Sequence, residues 1–214
     1  MIRKLIFLLV ILFSGYFIVI HFHTISLKLY LNKVEEYENG VYLFITGVNN
    51  KISNRIKQNF NYAKKSKYNH IGLLFVKKEE LFLVDVQPSK IIKNSFLKKQ
   101  NIYDYISFLK KDLNHIAIWK VKNVSVKSVL SKINFREKIY YDYNFDNSTD
   151  SELYCSEFVV KTLNKSMKNQ HFISLEKELT FGEKLFINKD IIKYYPVDFF
   201  IENKNFSQIS EWSK

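Results

Sequence analysis

The chain has 214 residues, 47% of them hydrophobic and 16% aromatic, with 33 Lys and Arg against 21 Asp and Glu for a net charge of +12. So much apolar and aromatic surface excludes disorder as the dominant state, 5 Gly and 2 Pro exclude collagen-like or linker character, and a single Cys excludes an internal disulfide and a multi-cysteine zinc site. The charge is almost all lysine, with Arg3, Arg55 and Arg136 the only bidentate guanidinium groups, so it reads as a solvated surface and not as a specific nucleic-acid site.

Arg3 and Lys4 are followed by Leu5 to Leu27 without a formal charge, and a membrane-spanning helix needs roughly 20 mainly apolar residues. Residues 1–31 are therefore read as an N-terminal transmembrane anchor. The basic pair favours the N-terminus inside and the domain on the extracytoplasmic side, while Lys28 and Lys33 count the other way. The alternative is secretion after cleavage of a signal peptide. Such a segment has an apolar region of about 7 to 15 residues and a small-x-small site, and this run is longer and lacks the site.

A single domain is expected over residues 38–214. Val41 to Thr46 is an apolar β-rich run closed by Gly47, Val48, Asn49 and Asn50, which predicts a strand and a turn. Lys51 to Ala63 carries Ile52, Ile56, Phe60 and Ala63 on one helical face. Asn69 to Val76 and Leu81 to Gln87, separated by Lys77, Lys78, Glu79 and Glu80, predict a hairpin with a charged turn. His115 to Val121 reads as a further strand, Val126 to Ile133 as a helix, and a second helix is expected from about Glu152, with Thr149 and Glu152 resembling a capping box. Ile191 to Tyr195 is strand-like and stopped by Pro196. Strands in the middle with helices before and after give an α+β fold around a mainly antiparallel sheet.

Symmetry of the hairpin about Lys78 and Glu79 places His70 opposite Gln87 and Gly72 opposite Asp85, all on one face, with Ile71, Leu73, Phe75, Phe82, Val84 and Val86 on the other. An imidazole, an amide and a carboxylate around a residue without a side chain form a polar cluster on an otherwise apolar sheet. Thiol hydrolysis needs a cysteine, an imidazole to take its proton and a third group to orient the ring. Cys155, near a helix start, is the candidate nucleophile, His70 the base, and Asp85 or Gln87 the orienting group. Each has a structural alternative: Cys155, Phe158, Val159 and Thr162 share a helical face, so the thiol could be a small core residue, His70 a satisfied edge histidine and Asp85 a turn cap. His115 and His171 have no Cys, Asp or Glu at metal-ligand spacing, and no G-x-S-x-G elbow is present, so neither a metal nor another cofactor is expected.

The run Tyr154-Cys155-Ser156-Glu157-Phe158-Val159, the earlier Asn69-His70-Ile71-Gly72, and Tyr141-Asp142-Tyr143 resemble the YiiX/YebB-like family of permuted papain-like cysteine hydrolases, related to the NlpC amidases and peptidases. Leu43 to Gly47 is similar to that family's opening strand and glycine turn, and Ile118-Trp119-Lys120-Val121 to a later strand, so the likeness runs from about Tyr42 to Lys165. The resemblance implies a permuted papain-like (NlpC-like) fold in which the His strand precedes the Cys helix. It also implies that Asp85, not Gln87, is the third residue, which simple hairpin geometry accommodates only with a two-residue shift. The implied substrates are a cell-wall peptide or a lipid amide, cleaved by hydrolysis or passed on by acyl transfer. The rival readings are a catalytically silent lipid- or peptide-binding module of the same fold, and an electrostatic binder of nucleic acid or membrane surface with a contiguous lysine face. The oligomeric state has no signature in the sequence.

Overall fold

The computed structural model describes residues 24–49, 66–78, 80–87, 97–109, 111–137, 139–145, 147, 149, 151–168 and 170–214. Two units are distinguished, Met1–Tyr37 with Lys214, and Glu38–Ser213. In the first, the described part is helical over 24–35 (α1), with Leu27, Tyr30, Leu31 and Val34 buried along one stripe. Most of the predicted membrane span, Leu5 to Leu27, lies outside the described residues, among which no helix is long and apolar enough to cross a membrane. The predicted helix Lys51 to Ala63 also lies outside them.

The second unit is built on a six-stranded antiparallel sheet. Its strands are β1 (Gly40–Val48), β2 (His70–Lys77), β3 (Glu80–Val86), β4 (Leu97–Asn101), β5 (Leu113–Val121) and β10 (Phe206–Ser213), in the order β10-β5-β1-β2-β3-β4. β1 lies near the centre and is buried on both faces, which is why it reads as a continuous apolar run instead of an alternating one. Two short pairs flank the sheet, β6 (Tyr140–Tyr141) parallel to β7 (Glu152–Leu153) and β8 (Leu175–Glu178) antiparallel to β9 (Ile191–Tyr194). The helices are α2 (Ile102–Leu109), α3 (Val126–Leu130), α4 (Cys155–Ser166) and α5 (Phe181–Ile187). The mixed fold with a large antiparallel sheet is the class expected.

Strand alternation divides the sheet into two faces. Val41, Leu43, Ile45, Ile71, Leu73, Phe75 and Val84 form one core with Phe158, Val159 and Leu163 of α4. The other face carries Phe44, Thr46, His70, Gly72 and Asp85, covered by Tyr105 of α2, whose ring meets Phe44 edge-on at 5.8 Å. The hairpin register, Leu73↔Val84 through Lys77↔Glu80, is that of the symmetric turn, and Lys78 takes the left-handed conformation at φ 53°.

The chain enters β2 through a tight crossing with the end of β1. Asn69 grips Val48 at both ends of its amide, accepting from the Val48 N–H at 3.0 Å and donating to the Val48 carbonyl at 2.7 Å, while its own N–H donates to the Thr46 carbonyl at 3.0 Å. Gly47 permits the approach, since a Cβ there would lie 2.3 Å from the Lys67 carbonyl oxygen. The residue fixed by this clamp is the next one, His70.

Candidate active site

Helix α4 begins at Cys155, with Tyr154 as its N-cap, three residues beyond the predicted start. The correction has a simple cause: Glu152 and Leu153 pair in parallel with Tyr140 and Tyr141, so that segment is extended. The first turn is pinned from both sides by one backbone unit. The Tyr195 N–H donates to Tyr154 Oη at 2.6 Å, and Ser156 Oγ donates to the Tyr195 carbonyl at 2.6 Å. The Tyr154 N–H points to Glu157 Oε2 at 3.4 Å. Cys155 is thus the first residue of the helix, where unpaired N–H groups and the dipole favour an anion.

His70, the first residue of β2, meets it. Its Nε2 lies 2.8 Å from Asp85 Oδ2, and its side chain is 14% exposed against 0% for Asp85. Asp85 also accepts from Gln87 Nε2 at 2.9 Å on Oδ2 and from Gln100 Nε2 at 3.0 Å on Oδ1. The ring also interacts with Cys155, through charge and side-chain hydrogen bonding. Burial opposes the charged imidazole, but the charge of Cys155 and hydrogen bonds with Asp85 and Cys155 outweigh it, and the pKa of His70 is pushed up to about 10.

The two-residue shift contemplated for Asp85 is not needed. The register is unshifted, Gly72 remains beside Asp85, and the carboxylate reaches His70 along the diagonal that opposed strands offer. Gln87 bonds Asp85 instead of His70. Three neighbours escaped the sequence reading: Gln100 on β4, Thr46 on β1 and Tyr105 on α2, the last stacked on the His70 ring at 6.1 Å and 27°. The signal for Tyr105 was available, because Ile102, Tyr105 and Ile106 have helical spacing and are all buried.

Tyr141 and Tyr154 share the core with Cys155, and Phe145 packs against both, edge-on to Tyr141 at 6.2 Å and 5.5 Å from Tyr154. Glu157, fully buried, pairs with Lys161 at 2.8 Å, a structural role that fits its place in the first turn of the helix. Burial raises its pKa from 4.5 to about 7 despite Lys161. A folded-state pKa above the unfolded one makes its contribution fully present below pH 4.5 and lost as pH rises through about 7, on the order of 3 kcal/mol. Glu157→Gln is therefore expected to flatten the fall in Tm across that window and to leave Tm at pH 8 equal to or above the parent's, as thermal melts at several pH values would show. Lys161 keeps its bond to the Thr149 carbonyl at 2.6 Å in that variant.

A cysteine opening a helix, a histidine opening an adjacent strand and a carboxylate supporting the ring define a thiol–imidazole–carboxylate constellation on an antiparallel sheet. The chain has the YiiX fold. The crystal structure of metalloprotein YiiX from Escherichia coli O157:H7 superposes with a TM-score of 0.60 over 83% of this chain and 100% of that one, at 13% sequence identity. No protein-family model and no curated protein matches the sequence.

Proposed function

We propose that this chain is a cysteine hydrolase that cleaves amide or acyl bonds. The observation that carries the proposal is the single His70 ring shared between Asp85 at 2.8 Å and Cys155 at the first residue of α4. Cys155 sulfur attacks the carbonyl carbon and His70 holds the thiol proton. The new S–C bond forms as the carbonyl electrons move onto oxygen, and the N–H groups opening α4 are placed to receive that charge. On collapse the C–N or C–O bond breaks and the leaving group takes the proton from His70. Water then gives a proton back to His70 and its oxygen to the acyl carbon, releasing a carboxylic acid and the thiol. Asp85 keeps the ring oriented throughout.

The substrate classes that suit the reading are a cell-wall peptide or a lipid amide. The uncharged run from Leu5 to Leu27 supports a membrane-anchored enzyme with its domain on the extracytoplasmic side. YiiX is described as a metalloprotein. The donors here do not fit a metal: among the described residues no three of His, Cys, Asp and Glu are grouped to hold one, and both Asp85 oxygens are engaged by His70, Gln87 and Gln100.

The test is acylation by p-nitrophenyl acetate, followed by intact mass. The parent is expected to acquire one acetyl group on Cys155, unaffected by EDTA, and Cys155→Ala none. Absence in the parent of both the adduct and Cys155-dependent p-nitrophenol release would remove the proposal. The second reading, a silent binding module, has one observation in its favour, the burial of Cys155 to 2% exposure. It predicts no adduct.

A further inference from the structure

His70 is held to Asp85 through Nε2 at 2.8 Å and interacts with Cys155 at the first residue of α4. Both interactions depend on a ring orientation that the side chain does not set by itself, because the outer torsion of histidine is broad, without sharp rotamer wells. Asp85 fixes one end of the ring, and a flat, immobile neighbour can fix its plane. Tyr105 has the required position: its ring lies 6.1 Å from the imidazole and 27° from parallel, and it is 3% exposed. It is itself held, by Phe44 edge-on at 81° and by its place on α2 between the buried Ile102 and Ile106.

A second observation converges on the same ring. Thr46, directly opposite His70 on β1, is fully buried, and its Oγ1 has no well-aligned hydrogen-bond partner. A buried hydroxyl without a bond is costly and needs a reason. Its neighbour is the Tyr105 phenol, which interacts with the Thr46 side chain and feels the charges of Asp85 and Cys155. Tyr105 is therefore stacked on the imidazole and within electrostatic reach of its two partners.

We propose that Tyr105 is the positioning residue of His70: its ring fixes the plane of the imidazole so that Nε2 stays on Asp85 and the ring stays against Cys155, and the Thr46 hydroxyl steadies the phenol. This rests on the thiol–imidazole reading of the site. The test uses the whole chain and follows iodoacetamide alkylation of Cys155 against pH, with Tm measured in parallel. Tyr105→Leu is expected to lower the rate at pH 6.5 at least about tenfold and to move the profile toward that of His70→Ala, since the stack is lost. Tyr105→Phe keeps the ring and is expected to lose about threefold, Thr46→Val the same, and the double variant no more than either, as coupled groups do.

A purely structural Tyr105 would lower Tm and leave the pH profile in place, and that result overturns the proposal. If Tyr105→Leu does not fold, the Phe and Val cycle decides, with additive losses or no loss counting against it. Failure here is distinct from failure of the hydrolase reading: a parent profile already identical to His70→Ala removes the underlying pair, whereas a His70-dependent parent with an indifferent Tyr105→Leu removes only this inference.

Discussion

Asp85→Asn is expected to lower the rate of Cys155 acylation about 10²- to 10⁴-fold, the range seen when the group orienting a catalytic imidazole is neutralised. The reason lies in the donors around it. His70 Nε2, Gln87 Nε2 and Gln100 Nε2 all point at the two carboxylate oxygens, at 2.8, 2.9 and 3.0 Å. An asparagine offers acceptors at one position only, so whichever way its amide is turned an NH₂ group faces a donor. If the NH₂ faces Gln100, the ring keeps its partner but Gln100 is left unsatisfied. If it faces His70, the ring loses the acceptor that holds it. The unpaired group costs a further ~1 to 3 kcal/mol of stability. Acylation kinetics with p-nitrophenyl acetate and a denaturant titration check both halves. Because the expected loss of rate exceeds what that destabilisation alone would cause in a folded protein, a variant that is folded and nearly fully active would refute the role of Asp85.

Gly72→Ala should damage both the sheet and the site. An added Cβ would lie 2.9 Å from Asp85 Cβ, 2.9 Å from Leu83 Cδ1 and 3.2 Å from the Val84 carbonyl oxygen. The leucine methyl is the end of a flexible side chain and can turn away, but Asp85 Cβ is fixed to the backbone of β3. The overpacking is expected to cost about 1 to 3 kcal/mol. Asp85 must move with its strand, and a displacement of about 1 Å between the carboxylate and the imidazole is expected to reduce acylation about 10²-fold. Thermal melts and acylation rates of the soluble variant measure the two effects. Loss of stability with an intact rate would show that Gly72 serves packing alone.

These two residues also show what was legible in the sequence. The charged turn at Lys78 fixed the pairing of β2 with β3, and the alternation of Ile71, Leu73 and Phe75 put His70 and Asp85 on one face, because both follow from periodicity two. Periodicity assigns a face but not a reach along it, so the choice between Asp85 and Gln87 was decided only by the observed diagonal contact. Tyr105 and Gln100 come from α2 and β4, which join the sheet through contacts distant in sequence from His70. The start of α4 was misplaced because the parallel pairing of β6 with β7 overrides a local capping signal at Thr149 and Glu152. The strand β10 closing the far edge has only Phe206 and Trp212 buried, so its apolar signal is sparse and it was not foreseen.

The central claim is that Cys155 and His70 act as one ionisable pair. It is tested most directly by the rate of Cys155 alkylation against pH in the whole chain and in His70→Ala. The account predicts a parent thiol that reacts well below pH about 8.5, where a free cysteine titrates, and loses that reactivity in the variant. A thiol that is inert, or that reacts with the same pH profile in both proteins, would contradict it.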